Sequence, residues 1–382
     1  MLKCPIYKRC GGCNLLHKTY EEGLEEKKAL IASLFQKEKL VGFPTHICGM
    51  ENPTRYRNKM QVTFKREGRK TIGGFYEENT HRVIDLEECF IHSELLNNIA
   101  TFLPKLIDKL HLSAYDEDRG SGLIRHALLK EGFVSHEVMV VIVTASEVFP
   151  GRSEFVKELR QAFPAITTII QNVNPRKTSI ILGEKERILY GPGWISDTLC
   201  SLRFKITSKS FFQVNPKQTE VLYGHVERMA GLKGTEIVLD AYSGIGTIGM
   251  ILSKKAKQVY CVENNSDAVR AGISNAKDNK ITNVQFFCDD ATHFLNAIAK
   301  NNEHIDCLIM DPPRTGSTPS FLDSILKLKP KKVLYVSCDP TTLVRDLKTL
   351  IPTYQIIDSI AVDMFCWTKH VETIVCLSKK QA

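Results

Sequence analysis

Five short apolar runs dominate the second half of the chain: "TEIVLDAY", "QVYCVE", "VQFFCDD", "IDCLIMD" and "KKVLYVSCD". Helical stretches separate them. That alternation predicts βαβ units and a parallel sheet, hence an α/β, Rossmann-like domain. Each run ends in polar or reactive residues: Asp240, Glu263, Asp289 and Asp290, Asp311, and Cys338. In open α/β sheets, ligands bind outside the carboxyl ends of the strands. Five such endings in succession point to one site. Taken singly, each acid has a plainer reading as a helix N-cap.

The first half has a different rhythm. A cysteine cluster opens it, followed by a charged amphipathic helix, "YEEGLEEKKALIASLFQKEK". A basic strand-like stretch, "RYRNKMQVTFKREGRKTIGGFY", carries a hairpin signal around position 68. The helix "HSELLNNIATFLPKLIDKL" comes next, then the strand pair "GLIRHALLKEG" and "HEVMVVIVTA". A helix at "SEFVKELRQAF" leads to the strand "ITTIIQNVN". Successive strands with short turns predict an α+β domain on an antiparallel sheet. The boundary is expected near "SKSFFQVNPKQ", giving a domain over 1–210 and a catalytic domain over 211–382. The helix near 16–47 is a candidate to pack on the catalytic half.

"LDAYSGIGTIGM" places Gly244, Gly246 and Gly249 after a strand and before a helix. Glycines there allow a tight turn and close approach of the backbone to a ligand, and Glu263 follows where a carboxylate accepts ribose hydroxyls. This fits NAD and S-adenosylmethionine equally. "IMDPPRTG" breaks the tie: two prolines lock a rigid corner at Asp311. An Asp-Pro-Pro corner in this place is a feature of adenosylmethionine-dependent methyltransferases. Those that methylate amino groups usually follow it with an aromatic residue, whereas Arg314 follows here.

Cys338 lies one strand later, in "YVSCDPTTLVRD", with Asp339 as the expected N-cap of a helix and Pro340 at its first position. The positive end of the helix dipole favours a thiolate there. A nucleophilic cysteine suggests a pyrimidine carbon as the target. The plainer reading is a buried, inert thiol. Glu372, in "HVETIVCL", stands at the entry to an apolar run, where a carboxylate is costly unless paired or used.

Cys4, Cys10 and Cys13 fall within ten residues, and Cys89 in "LEECFIH" is a plausible fourth ligand. Four thiolates suit zinc or a [4Fe–4S] cluster, and spacing alone leaves both open. The chain has 12 cysteines and shows no apolar secretory signal at its start, which predicts a reducing, cytoplasmic setting. No stretch has the length of a membrane span. A net charge of +8 is compatible with a nucleic-acid partner but does not require one.

The sequence resembles the RNA uracil-C5 methyltransferases, and most closely the iron–sulfur type acting on 23S ribosomal RNA. The resemblance covers nearly the whole chain, through "CGGCNLLH", "YRNKMQVTF", "SFFQVNPKQTEVLY", "DAYSGIGTIG", "VENN", "DPPRTG", "YVSCDPTTLVRD" and "DMFCWTKHVETIVCL". Many members begin with a small β-barrel RNA-binding module, and this chain starts directly at the cysteine cluster. Ser243 replaces the usual Cys, Asp339 the usual Asn and Cys366 the usual Pro. The resemblance implies adenosylmethionine contacts from Gln213, Tyr242, Glu263 and Asp311, with Thr247 and Asp290 as additional ones. It further implies Cys338 as nucleophile and Glu372 as base, and favours iron–sulfur over zinc at Cys4, Cys10, Cys13 and Cys89. RNA is the implied partner, with no membrane and no obligate protein partner.

The chemistry of such a reaction accounts for the set. C5 of uracil is a poor nucleophile until a thiolate adds at C6, and the C5 proton must then be removed by a base before the thiolate leaves. The target uridine must be flipped out or lie in a loop. Arg57, Lys59 and Arg125 are candidate RNA contacts, against the reading of ordinary surface charge. An NAD-dependent dehydrogenase leaves Cys338, Glu372 and the Asp-Pro-Pro corner unexplained. A non-catalytic RNA-binding module leaves the whole strand-end constellation unexplained. A transfer-RNA uracil-C5 methyltransferase is the nearest alternative.

Overall fold

The structure is a computed structural model and describes residues 3–177, 180–301 and 303–381. Two compact units share the chain. One comprises the N-terminal segment to His17 with Pro53–Leu199 and Phe204–Pro216; the other comprises Lys18–Asn52, Cys200–Arg203 and everything from Lys217 on. The division is therefore not a single cut, and the helix Tyr20–Lys37 belongs to the second unit. No helix among the described residues is long and apolar enough to cross a membrane.

The first unit is built on a seven-stranded sheet, in the order Val83–Asp85, Lys70–Tyr76, Lys59–Glu67, Ile124–Glu131, Val138–Thr144, Ile166–Val173, Lys185–Tyr190. The hairpin expected near 68 is present: Glu67 pairs with Lys70 across a turn in which Gly68 has φ +58°. Pairing is antiparallel with one departure from expectation, since Val138–Thr144 and Ile166–Val173 run parallel. The helix Arg152–Ala162 connects them, and a helical crossover returns the chain in the same direction. Helix Glu94–Lys109 buries Leu96, Ile99, Leu103 and Leu106 in the same core as Met60, Val62 and Phe64 of the sheet.

The second unit carries an eight-stranded sheet ordered Ile47–Cys48, Tyr354–Val362, Glu372–Lys379, Lys332–Ser337, Cys307–Met310, Ile237–Ala241, Gln258–Glu263, Val284–Cys288. Only Glu372–Lys379 runs antiparallel to its neighbours. The central strands, such as Cys307–Met310, are buried along their whole length, which is why they read as unbroken apolar runs. The strand order reverses at Ile237–Ala241, whose neighbours are Gln258–Glu263 on one side and Cys307–Met310 on the other. Helix Tyr20–Lys37 begins with a capping box between Thr19 and Glu22 and buries Gly23, Lys27, Ile31 and Phe35, one stripe at a spacing of four.

Candidate active site

The sheet register lines up the strand ends of the second unit. Glu263 pairs with Cys288, Val262 with Ala241, Ala241 with Met310 and Met310 with Tyr335. On the far side Ser337 pairs with Thr373 in the antiparallel ladder. The next residues outward on those two strands are Cys338 and Glu372, so nucleophile and base candidates face each other at the end of one ladder. Glu263, Tyr242, Asp311, Cys338 and Glu372 thus form a row along one edge, centred on the point where strand order reverses.

The glycine turn shows two different needs for glycine. A Cβ on Gly249 would lie 2.4 Å from Cys261 Sγ, and one on Gly246, at φ +77°, 2.5 Å from Phe286 Cε1. Gly244 also has a positive φ, +56°, but a Cβ there would meet nothing within 4 Å. Gly246 and Gly249 therefore serve helix–strand packing, while Gly244 leaves an open backbone face. Tyr242 shares the left-handed conformation, at φ +61°. Its ring lies 5.1 Å from that of Phe321, and its hydroxyl 3.3 Å from Ser317 Oγ. Ser243 Oγ is buried with no hydrogen-bond partner among the described residues, a polar atom left for a ligand. Thr247 opens the helix Thr247–Ser253.

Glu263 latches the turn. Its Oε2 accepts from Gly244 N at 3.0 Å and its Oε1 from Asn265 N at 2.8 Å. Each carboxylate oxygen keeps a second lone pair, so a diol remains an acceptable partner. Asp240 is buried and accepts from Gly249 N at 2.8 Å. Burial lifts it to about 7 despite that bond, with further upward pressure from Asp311 and Glu263. Asp290 is exposed and caps the helix Ala291–Lys300, accepting from Thr292 N at 2.8 Å and His293 N at 3.1 Å through one oxygen.

Cys338 sits ahead of the helix Pro340–Leu350, with Asp339 as N-cap and Pro340 at its first position, as expected. Its ionisation runs the other way. Burial, Glu372 and Asp311 push the thiol up to about 11, against the opposing influence of Arg314 and the residue's own N–H. The helix terminus acts locally, whereas the two carboxylates come from strand ends distant in sequence. Asp311 and Glu372 are held above the usual carboxylate range, Asp311 by burial and Glu372 by burial together with the charge of Asp311. Glu372 is 4 % exposed and opens its strand. His370 lies in the loop that precedes this strand.

The supporting residues carried little sequence signal. Asp346 lies on the buried stripe of helix Pro340–Leu350 and accepts from Ser317 N at 2.8 Å and Tyr335 Oη at 2.7 Å. Arg345 donates to the carbonyls of Thr315 at 3.0 Å and Ser317 at 3.2 Å, and Thr342 Oγ1 donates to that of Arg314 at 3.3 Å. The loop carrying Asp311 and Arg314 is thereby tied to the helix that follows Cys338. The only hint in sequence was an acid among the apolar positions of an amphipathic helix.

The first unit holds the other candidates. Arg125 is a correction: its side chain is 1 % exposed, forms a fork on Glu117 at 2.7 and 2.9 Å, and donates to the carbonyls of Asn174 and Arg176. A guanidinium so fully used is a strut, not an RNA contact. Lys59 is held below the usual lysine range by burial and by Arg57. Gln213 lies in the first unit, where its carbonyl accepts from Asn58 Nδ2 at 3.2 Å. Cys13 is pushed up to about 12 by burial and then by Cys89, Cys10 and Cys4, so the four cysteines share one neighbourhood. Cys89 Sγ lies 3.0 Å from His92 Nδ1, and its backbone is clasped by Asn97. Among the described residues, no group of three or more His, Cys, Asp or Glu is arranged to hold a metal ion.

The sheet order, the glycine turn at its switch point and the row of strand-end acids define an α/β fold of the methyltransferase type. A profile of the family described as tRNA (uracil-5-)-methyltransferase matches residues 19–380, and the chain belongs to that family. It is 39 % identical over 380 residues to an uncharacterized RNA methyltransferase of Bacillus cereus, spanning 99 % of this chain and 83 % of the relative. A Clostridium tetani protein of the same description is 40 % identical over 379 residues, 98 % of this chain and 82 % of that one. Among solved structures, the Pyrococcus abyssi tRNA (uracil-54, C5)-methyltransferase in complex with S-adenosyl-L-homocysteine superposes with a TM-score of 0.80. It is 26 % identical and the match covers 96 % of this chain and 85 % of that one.

Proposed function

We propose that the protein transfers a methyl group from S-adenosylmethionine to C5 of a uridine in RNA, in 23S ribosomal RNA by preference. The observation that carries the reading is that Cys338 and Glu372 each stand one residue beyond the Ser337–Thr373 pair at the end of one ladder, near enough for Glu372 and Asp311 to raise the thiol. The donor supplies an electrophilic methyl group on a sulfonium. Tyr242, Thr247, Glu263, Asp290 and Asp311 are the proposed contacts to it: the open face at Gly244 and the orphaned Ser243 hydroxyl fit a ligand there. The role of Gln213 rests on the family resemblance alone.

Cys338 Sγ adds to C6, and the electron pair moves through C5 toward the C4 carbonyl oxygen. C5 takes the methyl group, Glu372 takes the C5 proton, and the returning pair expels the thiolate. A base that must accept a proton near neutrality suits a carboxylate held above its usual range. Arg314, which favours the ionised forms of both Cys338 and Glu372, offsets part of the cost of their charge.

Cys4, Cys10, Cys13 and Cys89 are the proposed ligands of a [4Fe–4S] cluster. Their shared neighbourhood, in which Cys89, Cys10 and Cys4 all raise Cys13, supports a common centre, and the family resemblance favours iron–sulfur over zinc. The cluster would supply a staple for the first unit. Arg57 and Lys59 are the proposed RNA contacts. Transfer RNA is the competing substrate, favoured by the family's name and by that of the Pyrococcus enzyme; the cysteine set favours ribosomal RNA.

The test is to map 5-methyluridine in ribosomal and transfer RNA from a strain lacking the gene, with complementation by wild type and Cys338→Ala. Loss of a ribosomal site restored only by wild type supports the reading. Loss in transfer RNA transfers it to the competing substrate. No change in either, with purified protein that does not bind the donor, refutes it.

A further inference from the structure

Among the described residues, no hydrogen bond holds the Glu372 carboxyl group; its place is set by its backbone. That backbone follows the 363–371 loop, which joins two antiparallel strands through the Val362–Glu372 pair. The loop is strained, because Trp367 has φ +68°, a conformation that a bulky side chain adopts only when its surroundings impose it.

The surroundings come from the far end of the sequence. Lys27 is 2 % exposed and Asp363 0 %, and Lys27 Nζ bonds to Asp363 Oδ1 across 336 positions of chain. Lys27 also donates to the carbonyl of Phe365 at 3.2 Å. Tyr20 Oη donates to Asp363 Oδ2 at 2.7 Å and accepts from Met50 N at 2.9 Å. The Tyr20 ring lies 5.4 Å from that of Trp367, and its hydroxyl 3.5 Å from Cys366 Sγ. Within the loop, Thr368 Oγ1 donates to Phe365 O at 2.8 Å and accepts from His370 N at 3.2 Å. One helix, Tyr20–Lys37, therefore grips the loop at Asp363, Phe365 and Trp367.

We propose that Lys27 and Tyr20 are positioning residues for the base: through Asp363 they fix the loop that aims Glu372 at the C5 proton. The inference rests on the proposed roles of Cys338 and Glu372. Burying an ion pair is a poor route to stability, since apolar residues of the same size serve as well. Its use here is to select one conformation of a strained loop. The helix from the N-terminal third of the chain thus takes part in a step assigned to the C-terminal strand.

Two variants of the full chain test this. Tyr20→Phe keeps the ring on Trp367 and removes the hydroxyl from Asp363. The pair Lys27→Met with Asp363→Asn removes the ion pair without leaving one charge buried alone. Each is compared with wild type and Glu372→Gln in single-turnover reactions on an RNA that wild type methylates. The formation of methylated protein–RNA adduct and its resolution are followed separately. The inference expects adduct formation within about twofold of wild type and resolution slowed by roughly ten- to a hundredfold, the cost of a misplaced catalytic group. Deuterium at C5 of the target should slow resolution further in the variants. Equal loss in both steps, or no loss in either, overturns the inference. If the paired variant does not fold, Tyr20→Phe alone decides by the same two rates. Glu372→Gln that accumulates no adduct refutes the assignment of the base, a failure separate from that of the positioning residues.

Discussion

Glu372→Gln is the sharpest perturbation of the proposed mechanism. Glutamine keeps the size of a side chain that is 4 % exposed but cannot accept the proton. The burial that holds the native carboxyl group above its usual range disappears as a cost with the charge, so the variant should unfold no more easily than wild type. A positioned general base contributes about 10²–10⁴ in rate, or ~3–5 kcal/mol of activation free energy at 1.36 kcal/mol per tenfold. That loss should fall on the step after methyl transfer. With labelled RNA, the variant should accumulate a covalent adduct, seen as a shifted band on a denaturing gel, and Cys338→Ala combined with it should show none. The sign of the pH effect follows from the raised pKa. Protonated Glu372 cannot act as base, so wild-type resolution should quicken as pH rises through the raised range and then level, whereas the variant should lack this limb. Free methylated RNA released by Glu372→Gln at the wild-type rate would refute the assignment.

Gly246→Ala forces a Cβ to 2.5 Å from Phe286 Cε1 at φ +77° and should cost roughly 1–3 kcal/mol in chemical denaturation; Gly244→Ala, whose Cβ meets nothing within 4 Å, should lose donor affinity with a smaller stability change. Asp311→Asn should abolish methylation yet stabilise the fold. Asp311 titrates higher folded than unfolded, so its contribution to wild-type stability is fully present below the unfolded pKa and is lost as pH rises through the folded one. The gain should grow between pH 4 and pH 8 to on the order of 2 kcal/mol, a few degrees in Tm, and an equal gain at both pH values would contradict this. Cys89→Ser should remove iron and the broad absorbance near about 400 nm from anaerobically purified protein and destabilise the first unit; stoichiometric zinc in wild type would refute the cluster.

What the sequence revealed depended on whether a feature was local. The row of strand ends was legible because buried parallel strands must be apolar throughout and polar residues mark where they stop. The N-cap at Asp339 was equally local. Asp290 illustrates both readings at once, capping a helix while standing in the row. Errors came where distant elements meet. Cys338 was expected to favour the thiolate from its helix alone, yet Asp311 and Glu372 oppose it. Arg125 looked like a free cation in a strand, yet the loop residue Glu117 and the carbonyls of Asn174 and Arg176 consume it. The Lys27–Asp363 pair had no sequence signature, since nothing in a charged amphipathic helix says which lysine turns inward.

The resting electrostatics of the second unit bear on the order of events. Cys338, Asp311 and Glu372 are all displaced toward their protonated forms: Asp311 by burial, Glu372 by burial and Asp311, and Cys338 by burial and both carboxylates. Arg314 opposes the displacement at Cys338 and Glu372 and is exposed, so solvent weakens its influence. A site in this condition is a poor nucleophile. A positive charge placed at the Asp311 corner lowers the cost of ionising every acid around it, and the sulfonium of the methyl donor is such a charge. Under the proposed reading, binding of the donor therefore favours the thiolate of Cys338. Attack on C6 without a donor would yield an adduct that cannot be methylated, and the raised thiol disfavours that branch. The acids that raise Cys338 are those the proposed reaction later uses, Glu372 to take the C5 proton and Asp311 to hold the corner where the donor would bind.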